Sequence, residues 1–172
     1  YGVIAQVFID VEAEMYKQAE QQVGGWEGFK SFVVIDKVKE SDVITSFYLA
    51  PEDGDTLPTY EVGQYLSVRV TPPNDSFKQI RHYTLSSTPN EKYFRISVKR
   101  EADVTPNGVV STYLHDHIDI NDTIEASAPA GSFVLEAAAN PVTLISGGVG
   151  ITPMISMLQQ LVAEKTKRDV TF

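Results

Sequence analysis

The chain has 172 residues and a mass of 19.0 kDa, enough for one domain with room for part of a second. Hydrophobic residues make up 42% and charged ones 22%, which excludes a disordered or fibrous polypeptide. With 23 acidic against 14 basic residues the net charge is −9, and a surface that repels phosphate argues against a dedicated nucleic-acid binder.

The charge is unevenly spread. Residues 1–62 carry −8 and residues 101–172 carry −6, whereas residues 69–100 carry +5. This basic island (Arg69, Lys78, Arg81, Lys92, Arg95, Lys99 and Arg100) implies a local anionic ligand. There is no cysteine, hence no disulfide framework, thiolate nucleophile or Cys-ligated metal centre, which fits a reducing, cytoplasmic setting. No run approaches the ~20 apolar residues of a membrane helix, and the first residues lack the pattern of a signal peptide. The chain starts Tyr1-Gly2 inside a helical pattern and stops in a strand-like Arg168–Phe172, so both ends are expected to be cuts.

In chain order, residues 1–22 place Val3, Val7, Val11 and Met15 at i, i+4 spacing, with Ile4, Phe8 and Ala19 beside them. That predicts one amphipathic helix, ended by Gly24-Gly25. Its stripe needs a partner, either the rest of this chain or helices upstream. From Phe29 to about Phe133, β-branched and aromatic runs alternate with turn clusters. Strands are predicted over 32–38, 44–50, 64–70, 81–86, 93–99 and 122–128, with one helix over 109–118. Six short strands at regular spacing predict a mainly β fold, an antiparallel barrel or sandwich. After Asn140, the apolar run 141–146 reads as a parallel strand buried on both faces. A glycine-rich turn, a helix over 153–165 and a strand from Asp169 follow, the opening of an α/β nucleotide-binding sheet.

Three segments could carry chemistry. In Arg81-His82-Tyr83-Thr84-Leu85-Ser86, strand alternation puts Arg81, Tyr83 and Leu85 on one face and His82, Thr84 and Ser86 on the other. An adjacent Arg and Tyr can grip a phosphate and stack on a flat ring, or simply occupy an exposed strand face. Asn107-Gly108-Val109-Val110-Ser111-Thr112 enters a helix, either as an anion site of free N–H groups or as a plain cap by Asn107 or Ser111. Ser146-Gly147-Gly148-Val149-Gly150-Ile151-Thr152-Pro153 lets a phosphate or ring approach the backbone, with Thr152 able to cap and Pro153 suited to the first helical turn. It lacks the G-x-G-x-x-G spacing of the common dinucleotide fingerprint. His82, His115 and His117 have no metal-site spacing and read as local hydrogen-bonding residues; no metal site is expected.

Taken in order, these segments resemble the ferredoxin-reductase-like flavoprotein superfamily, with its R-x-Y-S/T, G-x-x-S and G-G-x-G-I-T/A-P motifs. They stand here as Arg81/Tyr83/Thr84, Gly108/Ser111 and Gly147–Pro153, and Gly63-Gln64-Tyr65 matches the G-Q-Y that precedes the first. Threonine occupies the position where many members carry serine, which keeps the hydroxyl and adds a methyl group. The helix carrying Val11-Glu12-Ala13-Glu14-Met15-Tyr16, followed by Gly24-Gly25-Trp26-Glu27-Gly28-Phe29, is similar to the globin–reductase junction of bacterial flavohaemoglobins.

The resemblance implies a six-stranded antiparallel FAD-binding barrel with one helix. Residues 1–22 would be the last helix of a truncated globin domain, 23–30 a linker, 31–139 the barrel, and 140–172 the start of a truncated NAD(P)-binding domain. It implies that Arg81 and residues Gly108, Val109, Val110 and Ser111 hold the FAD pyrophosphate. Tyr65 and Tyr83 would contact the flavin, with Thr84 near its N5, and Gly148, Gly150 and Thr152 would line the nicotinamide path. Tyr83, Thr84 and Glu12 would be the catalytic set, Glu12 lying near a proximal histidine. The implied parent passes electrons from NAD(P)H through FAD to a globin haem, converting nitric oxide and dioxygen to nitrate, with no membrane or nucleic-acid partner. The alternatives are an FAD-dependent reductase serving a ferredoxin or oxygenase, and a non-redox oligonucleotide-binding barrel using the basic island.

Overall fold

A computed structural model describes residues 2–73, 75–102 and 105–172, without the side chains of residues 2 and 3. The Tyr1 start of the expected helix and the Val3 side chain of its stripe therefore lie outside the described residues. Helix α1 (Gly2–Gln21) forms as the periodicity predicts, but the expected stripe is not its docking face. Ile4, Val7, Phe8 and Val11 are all more than half exposed. Contact with the rest of the chain comes from the last turns, where Ala19 is buried against Ala128 and Ala130 beside Tyr16 and Tyr65.

Six strands follow: β1 (Lys30–Lys39), β2 (Ile44–Pro51), β3 (Tyr65–Val70), β4 (Gln79–Thr84), β5 (Phe94–Lys99) and β6 (Thr123–Ala126). They pair antiparallel in the order β4-β3-β6-β1-β2-β5. Just past β4, Leu85 bridges back to Ile96 on β5, and the Ser86 N–H donates to the Arg95 carbonyl at 2.8 Å. The two edge strands thus meet at one end and diverge at the other. Strand alternation fills the interior with Phe32, Val34, Phe47, Leu49, Leu66, Val68, Phe94 and Ile96, all fully buried. Phe94 stacks at tilted or edge geometry with Trp26, Phe32 and Tyr60, at 5.7–6.4 Å between centroids. Helix α2 (Val109–His117) closes the barrel with Val110 and Leu114, followed by Ile118.

Residues 140–172 form β7 (Val142–Thr143), a 3₁₀ turn at Gly148–Gly150, α3 (Ile151–Ala163) and β8 (Val170–Thr171). Strands β7 and β8 pair parallel, as a β-α-β unit requires. The expected 141–146 strand, buried on both faces, is corrected: two residues pair, Leu144 is buried, and Ile145 is 80% exposed. With β8 as its partner and α3 on one side, nothing among the described residues covers the Ile145 face. A small second core of Val62, Leu144, Met154 and Met157 joins this unit to the barrel. Gly63 sits at that joint with φ +108°, and a β-carbon there would overlap the Phe133 carbonyl and crowd Met157 Cε. Among the described residues no helix is long and apolar enough to cross a membrane.

Candidate functional site

At the open end of the β4–β5 seam lies a cavity of about 420 Å³. Its walls come from all three sequence motifs: Arg81 to Thr84 on β4, Gly108 to Ser111 at the start of α2, and Val149, Gly150, Thr152 and Pro153 at the start of α3. Strand register explains the first wall. Arg81 lies opposite the interior Val68 and Tyr83 opposite Leu66, whereas His82 faces Ser67 and Thr84 faces Tyr65, the alternation the sequence predicts. Because β4 ends the sheet and parts from β5 here, its inward residues Arg81 and Tyr83 border the cavity rather than a second strand.

The chemistry of this wall is uneven. Tyr83 packs on the barrel core, and burial pushes its phenol up to about 12, so it stays a neutral hydroxyl at ordinary pH. Arg81 is exposed, and its guanidinium donates at 2.6 Å to the neighbouring Ile80 carbonyl. The rest of the basic island is largely neutralised. Arg69 and Lys78 share Glu125, Lys99 pairs with Glu101, and Arg100 pairs with Asp116. Among the described residues Arg81 has no acidic partner, although it lines a cavity. That leaves a cation available for an anion.

The second wall is sewn onto β5. The Gly108 N–H donates to the Glu101 carbonyl at 2.7 Å, and the Glu101 N–H donates to Ser111 Oγ at 3.3 Å. Gly108 is the N-cap of α2, with no side-chain capping bond. The plain cap by Asn107 or Ser111 is therefore not what forms: the Ser111 hydroxyl donates to the Gly108 carbonyl at 3.3 Å. An uncapped helix start presents first-turn N–H groups and the positive end of the helix dipole to this cavity. Next to the third wall Gly148 adopts φ +55°, and a β-carbon on it or on the wall's Gly150 would meet nothing within 4 Å. The capping role expected of Thr152 is corrected, since its hydroxyl donates to the Val149 carbonyl at 3.1 Å instead of accepting a helix N–H. A lone cation, an uncapped helix start and bare glycine backbone around one cavity fit a dinucleotide diphosphate with a flat ring beside it.

Two expected site residues lie elsewhere. Tyr65 is on the outer face of β3, its ring 4.7 Å from that of His82 and against Gly131. Glu12, on α1, lies 3.9 Å from His82 Nε2. Glu12, His82, Tyr16 and Ser67 line a separate cavity of about 480 Å³, where Ser67 Oγ is 2.6 Å from the Tyr16 hydroxyl and 2.9 Å from His82 Nδ1. His82 is thus the shared wall between the two cavities. Gly148 lies beside the first cavity without lining it. Sequence reasoning missed Ser97, Lys99 and Glu101, which do line it. Ser97 and Lys99 are the polar alternates to Phe94, Ile96 and Val98 on β5, a pattern that does not tell a solvent face from a cavity wall. Among the described residues no group of acidic, His or Cys side chains could hold a metal ion.

Residues 31–135 match the oxidoreductase FAD-binding domain family. Over its whole length the chain is 54% identical to a flavohaemoprotein of Bacillus thuringiensis subsp. konkukian and 51% identical to one of Bacillus subtilis. It spans 43% and 42% of those proteins, less than half their length. Among solved structures, the flavohaem-like FAD/NAD-binding domain of a nitric oxide dioxygenase from Vibrio cholerae superposes with a TM-score of 0.79 at 42% identity, covering 82% of this chain and 60% of that one. Phthalate dioxygenase reductase superposes at 0.71 with 34% identity, covering 84% and 42%.

Proposed function

This chain belongs to the oxidoreductase FAD-binding domain family, and on that premise we propose that it is the flavin-holding reductase part of a flavohaemoprotein. The observation that carries the reading is Arg81, a cation without an acidic partner among the described residues, on a cavity shared with the uncapped start of α2. FAD, when bound, supplies hydride acceptance and stepwise electron release. The protein's task is to hold it. In this reading Arg81 and the N–H groups of Val109, Val110 and Ser111 neutralise the pyrophosphate, with Gly108 allowing the close turn. Tyr83 offers a ring face and a neutral hydroxyl to the flavin, with Tyr65, outside the cavity but the register partner of its Thr84, as a further contact at the edge. Thr84 directs its hydroxyl to the flavin N5 region. Gly148, Gly150 and Thr152 leave backbone open for the nicotinamide of NAD(P)H.

For the whole protein we propose transfer of electrons from NAD(P)H through FAD to a globin haem, and conversion of nitric oxide and dioxygen to nitrate in the cytoplasm. Residues 1–22 are then the last globin helix, 23–30 the linker, 31–139 the flavin barrel and 140–172 the start of the nicotinamide domain. The exposed Ile4, Val7, Phe8 and Val11 on α1 support an upstream packing partner. Glu12 is assigned to the haem side. The likeness to phthalate dioxygenase reductase favours a second reading, a reductase serving an oxygenase or ferredoxin. Upstream sequence decides between them, because only the first requires a globin with a proximal histidine.

Titration with FAD tests the site. A charge-assisted contact is worth about 1.5–3 kcal/mol, so Arg81→Ala is expected to weaken FAD binding by about one to two decades. Lys92→Ala, exposed on the same basic island, leaves affinity unchanged. Equal affinities of Arg81→Ala and wild type would remove the assignment.

A further inference from the structure

Behind the cavity lies a set of buried hydroxyls that the reading above does not use. Ser46 on β2, Ser97 on β5 and Ser86 just past β4 are all buried, and Ser46 is the register partner of Ser97. Ser97 Oγ is 2.8 Å from both Ser46 Oγ and Ser86 Oγ. At one end Ser46 Oγ donates to Glu40 Oε1 at 2.7 Å, and at the other Arg95 Nε donates to Ser86 Oγ at 3.2 Å. Glu40 is exposed in the β1–β2 turn, and Ser97 lines the cavity.

Counting protons fixes the direction of this chain. A carboxylate only accepts, so the Ser46 proton is committed to Glu40 and the Ser46–Ser97 contact must use the Ser97 proton. Ser46 therefore gives its proton to Glu40 and Ser97 gives its own to Ser46, while Ser86 accepts from Arg95 Nε and its proton has Ser97 Oγ at 2.8 Å and the Arg95 carbonyl at 3.2 Å as acceptors. The Arg95 carbonyl also accepts from the Ser86 N–H at 2.8 Å. With the Ser86 proton on the nearer acceptor, the bonds run head to tail from guanidinium to carboxylate, an arrangement in which each polarises the next. Ser97 has spent its proton and one lone pair inside the chain. Its second lone pair remains to accept from a donor in the cavity.

We infer that Ser97, Ser46 and Glu40 form a proton exit from the cavity to solvent, an inference that rests on the reading of this cavity as the flavin site. A hydride brings one proton and two electrons. A one-electron acceptor, a haem iron in the proposed parent or ferricyanide in a test, removes the two electrons in succession and leaves the proton behind. The flavin N–H proton left behind would be accepted by Ser97 Oγ, the N–H bond breaking as the O–H bond forms. The original Ser97 proton passes to Ser46 Oγ, the Ser46 proton passes to Glu40 Oε1, and Glu40 releases it to water. Each serine ends with the one proton it began with. The resting polarity already points outward, so no hydroxyl must turn before the proton leaves. Ser97 touches the cavity; Ser46 and Glu40 act through it.

The test uses this chain loaded with FAD, reduced with dithionite and mixed with ferricyanide in H₂O and in D₂O. The wild type is expected to show a solvent isotope effect on flavin reoxidation. Ser46→Ala and Glu40→Gln slow the proton-linked phase about tenfold or more, with FAD affinity unchanged. In time-resolved infrared spectra of the reoxidation, a transient carboxylic-acid C=O band is expected in the wild type and absent in Glu40→Gln. Glu40 is exposed, so its amide variant carries the test if the buried Ser46→Ala fails to fold. Unchanged rates and isotope effects in the FAD-loaded Glu40→Gln protein, or persistence of the band in it, overturn the exit. A wild-type chain that takes up no FAD overturns the flavin reading itself, and this inference with it.

Discussion

The barrel and the β7–α3–β8 unit face each other across one cavity, but they are held by different amounts of packing. In the barrel, Phe32, Phe47, Leu49, Leu66, Phe94 and Ile96 are fully buried, and the ends of the sheet meet through Leu85 and Ile96. In the second unit a core of Val62, Leu144, Met154 and Met157 holds a two-residue parallel pairing, and Ile145 and Val162 remain largely exposed. The wall that carries Arg81, Tyr83 and Thr84 is therefore fixed by a closed core, whereas the glycine wall is fixed by one helix and a few contacts. Local opening free energy follows buried apolar contact, so the Arg81 wall is expected to be the stiff one and the glycine wall the compliant one.

The largest effect that could break this contrast is the removal of a central ring. Phe94 meets Trp26, Phe32 and Tyr60, and Phe94→Ala is expected to cost about 3–5 kcal/mol, a large share of a domain's stability. In denaturant unfolding, protection of every barrel strand should fall together. Met157→Ala, the matching change in the smaller core, is expected to raise amide exchange in α3, β7 and β8 while the barrel strands keep theirs. Equal loss of barrel protection in both variants would show one cooperative unit and end the distinction.

The same contrast explains what could be read from sequence. All six barrel strands and α2 follow from alternation and turn residues, because in a closed barrel each inward residue meets its own core whatever surrounds the molecule. The 141–146 run was misleading because its composition suits a strand covered on both faces, while the described fold gives it β8 and one helix. Similarly, the stripe of α1 correctly specified a helix, but Tyr16 and Ala19 rather than Val7 and Val11 make its contacts. At the site, motif order was enough to place Arg81, Gly108 and Gly150 on one cavity. Ser97 was not legible as a site residue, since a serine alternating with core residues looks the same whether it faces water or a cavity. Nor could a hydroxyl chain across β2, β5 and the end of β4 be seen without the register.

A smaller change sharpens the comparison at the glycine wall. Gly148 has φ +55° and open space where a β-carbon would stand, so Gly148→Ala introduces left-handed backbone strain without a clash. The expected cost is about 1–2 kcal/mol, borne by the compliant unit. Amide exchange around 147–153 should rise by about tenfold, while FAD affinity stays within about twofold because Arg81 and α2 are untouched. If FAD affinity falls as far as in Arg81→Ala, the two walls are mechanically one.

The smallest effect is a pH term seated in the stiff wall. His115 Nε2–H donates to the Val98 carbonyl at 2.8 Å, tying α2 to β5, and Nδ1 lies 3.4 Å from Thr45 Oγ on β2. Burial holds His115 below the ordinary histidine range; the bond to Val98 opposes it, as does Asp116, while the nearby Arg100 and Lys37 push the same way as burial. The unfolded chain then takes up a proton at this position before the folded one does. Stability is full above the ordinary histidine pKa of about 6.5 and declines as pH falls below it, until the folded imidazole also protonates. The carboxylates of Glu125 and Asp116 are held low by Arg69 and Arg100, so their losses come at lower pH. Between pH 7.5 and pH 5 the wild-type melting temperature is expected to drop by about a degree or two, and His115→Gln should flatten that slope. An identical slope in His115→Gln would mean that the pH term lies elsewhere.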